Sequence, residues 1–487
     1  MFQLPFLNID FPYFIVSLYV VEFIFAITII FIERKNPSST IAWVMIIFIL
    51  PIGGMILYLL LSQNIARQKI FKLSAHEQDV VEKPLENQIL EMKEGVFQYS
   101  DEEESLARLI TLNQVYGKSF LTQENKVEIL NDGVKMFDSI LRDIRNAREY
   151  VNVQYFIVKN DETGKKLLRT LVQVARKGVK VRFLVDALGT KNLDKVLLNE
   201  FAKYGGKIAY FFSPRFIKIN LRFNYRNHRK IVIVDGRVGY VGGFNIGNEY
   251  LGKKKKFGYW RDTHIRVQGR AINDLNARFI LDWRLTAKEN LGLEQAYFDF
   301  SRPVGKTSMQ IVNSGPDSER QEVKHAYLKM INSAEKSIHI QTPYFVPDES
   351  IFTAIQTAAF AGIDVKIMIP NIRDHILVYW ATYYYCGLLL KAGVKVYIYE
   401  NGFLHAKTLS VDGKACSVGS ANFDIRSFKL NFETNAFLYD QDVTSEMDRL
   451  YFEDLGYCRE LTMKEYENRS LIIRIKEGIA KLSSDIL

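Results

Sequence analysis

Two stretches decide the fold: NHRKIVIVDGRVGYVGGFN at 227–245 and LHAKTLSVDGKACSVGSAN at 404–422. Both obey H-x-K-x4-D-x6-G-x2-N. The first supplies His228, Lys230, Asp235, Gly242 and Asn245; the second supplies His405, Lys407, Asp412, Gly419 and Asn422. At average residue usage one such match arises less than about once per million positions, so two of them mark an internal repeat. A His and a Lys two apart on a β-branched run point to the same strand face. The D-G between two extended runs predicts a hairpin turn. The returning strand then brings the Gly and Asn back beside the His–Lys pair. The Asp has the wrong parity for that face and reads as turn chemistry or a structural ion pair.

The repeat extends upstream. VNVQYFI (151–157) and, later, IHIQTPYFV (338–346) read as strands. Each is followed by a helical pattern, a Gly (178, 362) and a second strand, VKVRFLVD or IDVKIMIP. Gly206 then leads into KIAYFF, and Gly393 into VKVYIY. Strands alternating with helices of 10–20 residues predict an α/β fold with mixed, mostly parallel sheets and flanking helices. The helices end at Gly, as C-cap chemistry expects.

A convergent His, Lys and Asn suits a phosphate. Lys and the amide donate to non-bridging oxygens, and neutral imidazole can attack phosphorus. A second His can protonate the departing oxygen. Two units related by a pseudo-twofold axis would form one site. A nucleophilic imidazole needs a carboxylate on its other nitrogen. Asp262, in WRDTH, is the candidate within the first unit and Glu433, in NFETN, within the second. No clustered His/Cys/carboxylate ligand set is present, so no metal and no cofactor is expected.

The 487 residues carry 64 Lys+Arg against 55 Asp+Glu, a net charge of +9 that fits anionic partners. A composition 48% hydrophobic and 24% charged excludes a disordered or low-complexity chain. Three cysteines without C-x-x-C spacing exclude a disulfide framework and a thiolate zinc site.

The first sixty residues hold two apolar runs of about 20 residues, 11–32 and 41–61, the length that crosses a bilayer core. They predict a transmembrane helical hairpin. Glu22 within the first run and Pro51, Gly53 and Gly54 within the second leave a re-entrant hairpin open. Lys/Arg counts of two in the connector against three after the second run lean to a cytoplasmic main domain. The domains are therefore an anchor (1–64), a polar linker with some helix (65–105) and two similar units (106–300 and 301–487). The linker ends in the acidic run Asp101–Glu104, which reads as a solvated face.

The duplicated motif resembles the phospholipase D superfamily, and the surrounding text resembles bacterial cardiolipin synthases. GGFNIGNEYLG (242–252), WRDTHIRVQG (260–269), QIVNSGPD (310–317), TPYFVPDE (342–349), RKNPSSTIAW (34–43) and LPIGG (50–54) carry the likeness. It implies two tandem phospholipase D-like units forming one pseudo-twofold site. It further implies a multi-pass enzyme of the bacterial cell membrane that moves a phosphatidyl group between two phosphatidylglycerols and releases glycerol through a phosphohistidine. The implied catalytic set is His228, Lys230, Asp235, His405, Lys407 and Asp412. His228 would be the nucleophile and His405 the general acid, then base. Asn245, Asn422 and Ser420 would bind the phosphate, and Asp262 and Glu433 would orient the histidines. Gly243 stands where the second unit has Ser420, which removes one hydroxyl from the first half-site.

Three other functions compete. A membrane-bound phospholipase D would use water as acceptor and yield phosphatidic acid. A metal-independent nuclease would use the same motif, but the anchor argues against nucleic acid as partner. A catalytically inert scaffold has no need of paired histidines. Among the remaining features, Lys253–Lys256 could meet anionic headgroups or be a solvated loop. His264 suits a strand-face hydrogen bond. Trp260, Trp283 and the cluster Tyr379, Tyr383, Tyr384 and Tyr385 could line a lipid path, although packing is the commoner use. The tail 472–487 is amphipathic and suits docking on the core, with a membrane surface as the alternative.

Overall fold

A computed structural model describes residues 11–32, 37–61, 70–71, 73–213, 224–287, 289–293 and 303–482. Among these, the N-terminal helices form one unit, and residues 70–213 and 225–482 form another.

In the N-terminal unit the first apolar run is a single helix, Phe11–Ile32. The second run is not one helix. It divides into Pro37–Ile49 and Gly53–Leu61, because Pro51 cannot donate to the helical ladder and Ile52 turns to φ +59°. Gly54 follows because a Cβ there would lie 2.7 Å from the Ile46 carbonyl oxygen. Ile29, Ile47 and Tyr58 pack at the centre, with Phe25 and Trp43 edge-on to the Tyr58 ring. Among the described residues no helix is long and apolar enough to cross a membrane.

In the larger unit, each half contains a parallel trio. Tyr150–Tyr155, Lys180–Asp186 and Lys207–Phe211 pair in that order, as do Ser337–Gln341, Asp364–Pro370 and Lys395–Tyr399. The intervening helices Glu162–Arg176 and Glu349–Phe360 start at Asp161 and Asp348, whose carboxylates cap the first turn. They end beside Gly178 and Gly362, at φ +87° and +92°. The expectation of mostly parallel sheets is corrected here: antiparallel neighbours outnumber parallel ones. The D-G turns fold Ile231–Val234 onto Val238–Gly242 and Thr408–Val411 onto Ala415–Gly419. Trp260–Gln268 and Asn431–Tyr439 then add antiparallel beside the return strands. Thr122–Asp132 pairs with both Trp260–Gln268 and Thr307–Ser314, and so joins the two sheets.

The halves also interlock. Arg226–Asn227 pairs in parallel with Asn431–Phe432 of the second half, and Phe403–Leu404 with Trp260–Arg261 of the first. The linker carries the helix expected of it, docked on the larger unit. Ala75–Lys93 is a helix with a reciprocal Ser74–Glu77 capping box, and Glu77 also bonds Arg284 at 2.5 Å. Gln88 brackets the backbone of Leu121 at 2.9 and 3.0 Å. The acidic run opens a short helix in which Glu103 is buried, caps Ser100 and accepts from Gln123 at 3.0 Å. Glu103 is thus a structural partner rather than part of a solvated face, while Glu104 is exposed.

Candidate active site

The strand pairing between halves places the histidines. The His228 N–H donates to the Phe432 carbonyl at 3.0 Å, and the His405 N–H to the Arg261 carbonyl at 2.7 Å. Each histidine is therefore stitched to the strand of the opposite half, one residue from a carboxylate. His228 Nδ1 meets both oxygens of Glu433 at 3.0 Å. His405 Nδ1 meets Asp262 Oδ2 at 2.6 Å. The pairing expected within each unit is thus corrected to a crossed one.

Both carboxylates are fully buried. Burial alone would raise them, but His228 and Lys230 hold Glu433 below the ordinary carboxylate value. For Asp262 burial likewise raises, and Lys407 and His405 outweigh it. Burial lowers His228 against the pull of Glu433. Burial and Lys407 lower His405 to about 4. Both imidazoles are accordingly neutral at pH 7, each with a carboxylate at Nδ1. Among the described residues Nε2 of neither makes a hydrogen bond.

The lysines lie on the same strand faces, as the two-residue spacing expects. Lys230 Nζ donates to its own His228 carbonyl at 2.6 Å, and Lys407 Nζ to the His405 carbonyl. Lys407 Nζ also lies 2.8 Å from His405 Nδ1, a contact with no counterpart at His228. Burial pushes Lys230 down to about 7 and Lys407 to about 8. Lys407 lowers His228 while Lys230 lowers His405, so each half-site feels the cation of the other.

Asp235 and Asp412 are not at this site, which corrects their place in the catalytic set. They turn the hairpins at φ +53° and +57°. Asp235 accepts the backbone N–H groups of Arg148, Glu149 and Tyr150 at 2.8–2.9 Å. Asp412 accepts those of Glu335, Lys336 and Ser337 at 2.8 Å. Their wrong strand parity is the cause.

The phosphate-binding candidates divide. Asn422 Nδ2 lies 3.2 Å from Asp424, and its Oδ1 is buried without a partner. Asn245 Oδ1 accepts from Ile157 N at 3.2 Å. Ser420 is committed elsewhere: its Oγ accepts Thr434 N at 3.0 Å and steadies Glu433. Gly243 takes the matching place because a Cβ there would lie 2.0 Å from Asp262 Oδ1. The shorter Asp262 fills the space that Ser420 occupies in the other half.

Several supporting residues escaped the sequence reading. Arg229, between His228 and Lys230 but on the opposite face, holds Asp282 at 2.8 Å and the Glu433 carbonyl at 3.2 Å. Gln154, Asn227 and Arg278 complete the contacts of Asp282 at 2.7, 3.1 and 2.6 Å. In the second half Asp454 is held by Gln341 at 2.8 Å and, from across the halves, by Arg261 of the first at 2.7 Å. The matched glutamines of VNVQY and IHIQT were the available signal. Phe156 stands edge-on to His228 at 5.0 Å, and Tyr344, bonded to Asp374, faces His405 at 6.5 Å. Trp260 lies 5.1 Å from His405 and packs on Phe403, while Trp283 is buried against Phe279 and donates to Glu289 at 3.0 Å. His264 Nδ1 accepts from Phe244 N at 3.2 Å, a strand-face bond. Lys253 and Lys254 pair with Glu162 and Glu249 at 3.1 Å. No group of three or more His, Cys, Asp or Glu among the described residues could hold a metal ion.

The family model "Cardiolipin synthase, PLD-like domain" matches residues 140–278 and 327–455, one match on each half. The chain belongs to the cardiolipin synthase family. A "Phospholipase D-nuclease N-terminal" model matches residues 23–63 of this cardiolipin synthase family member. It is 46% identical to a cardiolipin synthase of Staphylococcus aureus (strain Mu50 / ATCC 700699) over 97% of this chain and 96% of that one. It is also 46% identical to the major cardiolipin synthase of Bacillus subtilis (strain 168), covering 96% and 98%. Among solved structures, phosphatidylserine synthase of Haemophilus influenzae Rd KW20 superposes with a TM-score of 0.61 at 16% identity. That match covers 80% of this chain and 100% of the other, a likeness of fold.

Proposed function

We propose that this family member is a cardiolipin synthase in which the crossed histidines carry the phosphatidyl group from one phosphatidylglycerol to another. The observation that carries the mechanism is the crossed pair His228–Glu433 and His405–Asp262, at 3.0 and 2.6 Å. A carboxylate on Nδ1 fixes the tautomer and leaves Nε2 as a lone pair.

His228 is the nucleophile. Its Nε2 attacks phosphorus, the P–N bond forms, and the P–O bond to glycerol breaks. His405 protonates that leaving oxygen. In the free enzyme His405 is held to about 4, but a bound diester anion adds negative charge beside it and raises its proton affinity. The Lys407 contact at Nδ1 makes His405 the weaker base and, once protonated, the better acid. In the second step His405 takes the proton from a hydroxyl of another phosphatidylglycerol. That oxygen attacks phosphorus, the P–N bond breaks, and cardiolipin leaves. Lys230 and Lys407 neutralise the diester, with Asn245 and Asn422 beside it. Glu433 and Asp262 orient the imidazoles, and Ser420 acts through Glu433.

The N-terminal unit inserts into the bilayer and holds the catalytic unit at its substrate. Apolar side chains on its surface, among them Val16, Phe23, Phe31, Ile41 and Leu59, support this. The break after Ile49 keeps spanning and re-entrant insertion in competition. An Asn36→Cys probe reached by an impermeant reagent from the face opposite the catalytic unit supports spanning; the same face supports re-entry.

The deciding experiment incubates the purified protein with phosphatidylglycerol vesicles in EDTA and identifies products by mass spectrometry. Cardiolipin and glycerol are expected, both lost in His228→Ala and His405→Ala. Phosphatidic acid without cardiolipin makes water the acceptor and replaces the transferase. Turnover only after addition of a divalent metal overturns the two-histidine mechanism.

A further inference from the structure

The C-terminal helix Leu471–Leu482 presents two different faces. One docks. Ala480 is fully buried against Trp380 and Ala381 of the helix Ile376–Leu390, and Ile473 packs beside them. Glu477, the helix's only acid, is buried and tied to Arg469 at 2.8 Å. The opposite face is apolar and bare. Leu471, Ile472, Ile475, Ile479 and Leu482 are each more than half exposed. At 100° per residue these five side chains fall within an arc of about 100°. Exposed Lys476 flanks the arc on one side, and exposed Arg474 and Lys481 flank it on the other. The solvent side of the helix thus shows an apolar stripe bracketed by three cations and no anion.

The stripe lies one helix away from the chemistry. Lys476 sits over the Trp380 ring at 5.3 Å and Lys481 over the Tyr384 ring at 5.2 Å. Both contacts advance in the same direction, so the two helices run side by side with their starts together. The start of the docking helix carries exposed Ile376 and Leu377. Just before it, Asp374 bonds Tyr344, whose ring faces His405. Exposed apolar side chains therefore stand both on the stripe and at the start of the docking helix, which lies next to the segment that carries Asp374.

We propose that this face is an interfacial foot that lies in the headgroup layer of an anionic phospholipid bilayer and turns the site mouth toward the lipid. The occupant follows from the charge pattern. Cations bracketing an apolar arc suit a surface of anionic headgroups over hydrocarbon. A second copy of the chain would bring the same three cations against themselves. The inference takes its purpose from the phosphatidylglycerol reading above, but its geometry does not depend on turnover.

The test uses the full chain carrying Cys458→Ser, since Cys386 and Cys416 are buried. A nitroxide is placed at Ile475→Cys or, for reference, at the exposed Glu335→Cys. After reconstitution in phosphatidylglycerol vesicles, the label at 475 is expected to meet dissolved oxygen more readily than a water-soluble nickel chelate. The label at 335 is expected to show the reverse. Equal chelate access at both positions overturns the proposal. Spin–spin broadening at 475 that persists in detergent also overturns it, and makes the face a contact between copies. As a second readout, the combined Ile472→Ser, Ile475→Ser and Ile479→Ser variant is expected to raise the lipid surface concentration at half-maximal rate roughly tenfold. Its maximal rate stays within about twofold, and an unchanged surface dependence counts against the foot. The label result stands even if the lipid substrate proves different.

Discussion

At the residue scale the asymmetry between the two histidines is the most informative detail. His228 shares Nδ1 with a carboxylate alone, while His405 has Asp262 on one side and Lys407 on the other. Glu433→Gln removes the charge that raises His228, so the His228 imidazole should titrate lower, with His405 far less affected. Asp262→Asn should act on His405 instead. Proton or nitrogen NMR of the two rings checks this, and an effect confined to the histidine of the same half would refute the crossing. Each variant should also lose about 10²–10⁴ in kcat, as when a histidine loses its orienting carboxylate. The lysines set the pH response. Burial lowers Lys230 to about 7 and Lys407 to about 8. In the proposed mechanism their charged forms bind the diester, so kcat/KM should fall as pH rises through 7–8. Neutral His228, lowered by burial, should persist below pH 6.5 and keep the acid limb beneath the usual histidine value. A pH profile of kcat/KM in mixed micelles reads both limbs.

At the element scale the hairpins separate stability from chemistry. Asp235 and Asp412 each gather three backbone N–H groups at a positive-φ turn. Asp235→Ala should therefore destabilise the fold by about 2–3 kcal/mol, through lost charge-assisted bonds and a strained φ. The kcat of the folded fraction should remain near that of the parent, and denaturant melts beside single-temperature kinetics distinguish the two. Gly243→Ser should do the reverse. Its side chain would strike Asp262, so activity should collapse through His405 while Lys230 stays in place. These elements were legible in the sequence because strand alternation and D-G turns are local signals. Strand parity alone also set the aspartates apart from the His–Lys face. The antiparallel majority was harder to see, since runs such as TLSV and ACSVG carry no mark of direction. Some helix was expected in the linker, but the burial of Glu103 was not, because the acidic run looks solvated until Glu103 is seen closing a cap. The crossing was not legible either. It rests on two-residue parallel bridges at 226–227 and 403–404, too short to leave a periodic pattern.

At the scale of the whole molecule the two halves make a single site. Joined sheets, exchanged bridges and exchanged carboxylates mean that neither half contains a finished histidine pair. The first half expressed without the second should thus form no phosphatidyl-histidine, because His228 lacks Glu433. Incubation with phosphatidylglycerol labelled on phosphorus, followed by alkaline gel separation, checks this, and a labelled half-protein would refute it. The interior bonding also bears on how such a chain can change over generations. A duplicated gene normally frees one copy to drift, because the other keeps the trade. Here the strand that tunes each base is inherited with the opposite copy, so a lesson learned by one half must be learned by both. The duplication offers no spare: the two motifs are bound to persist together or be lost together.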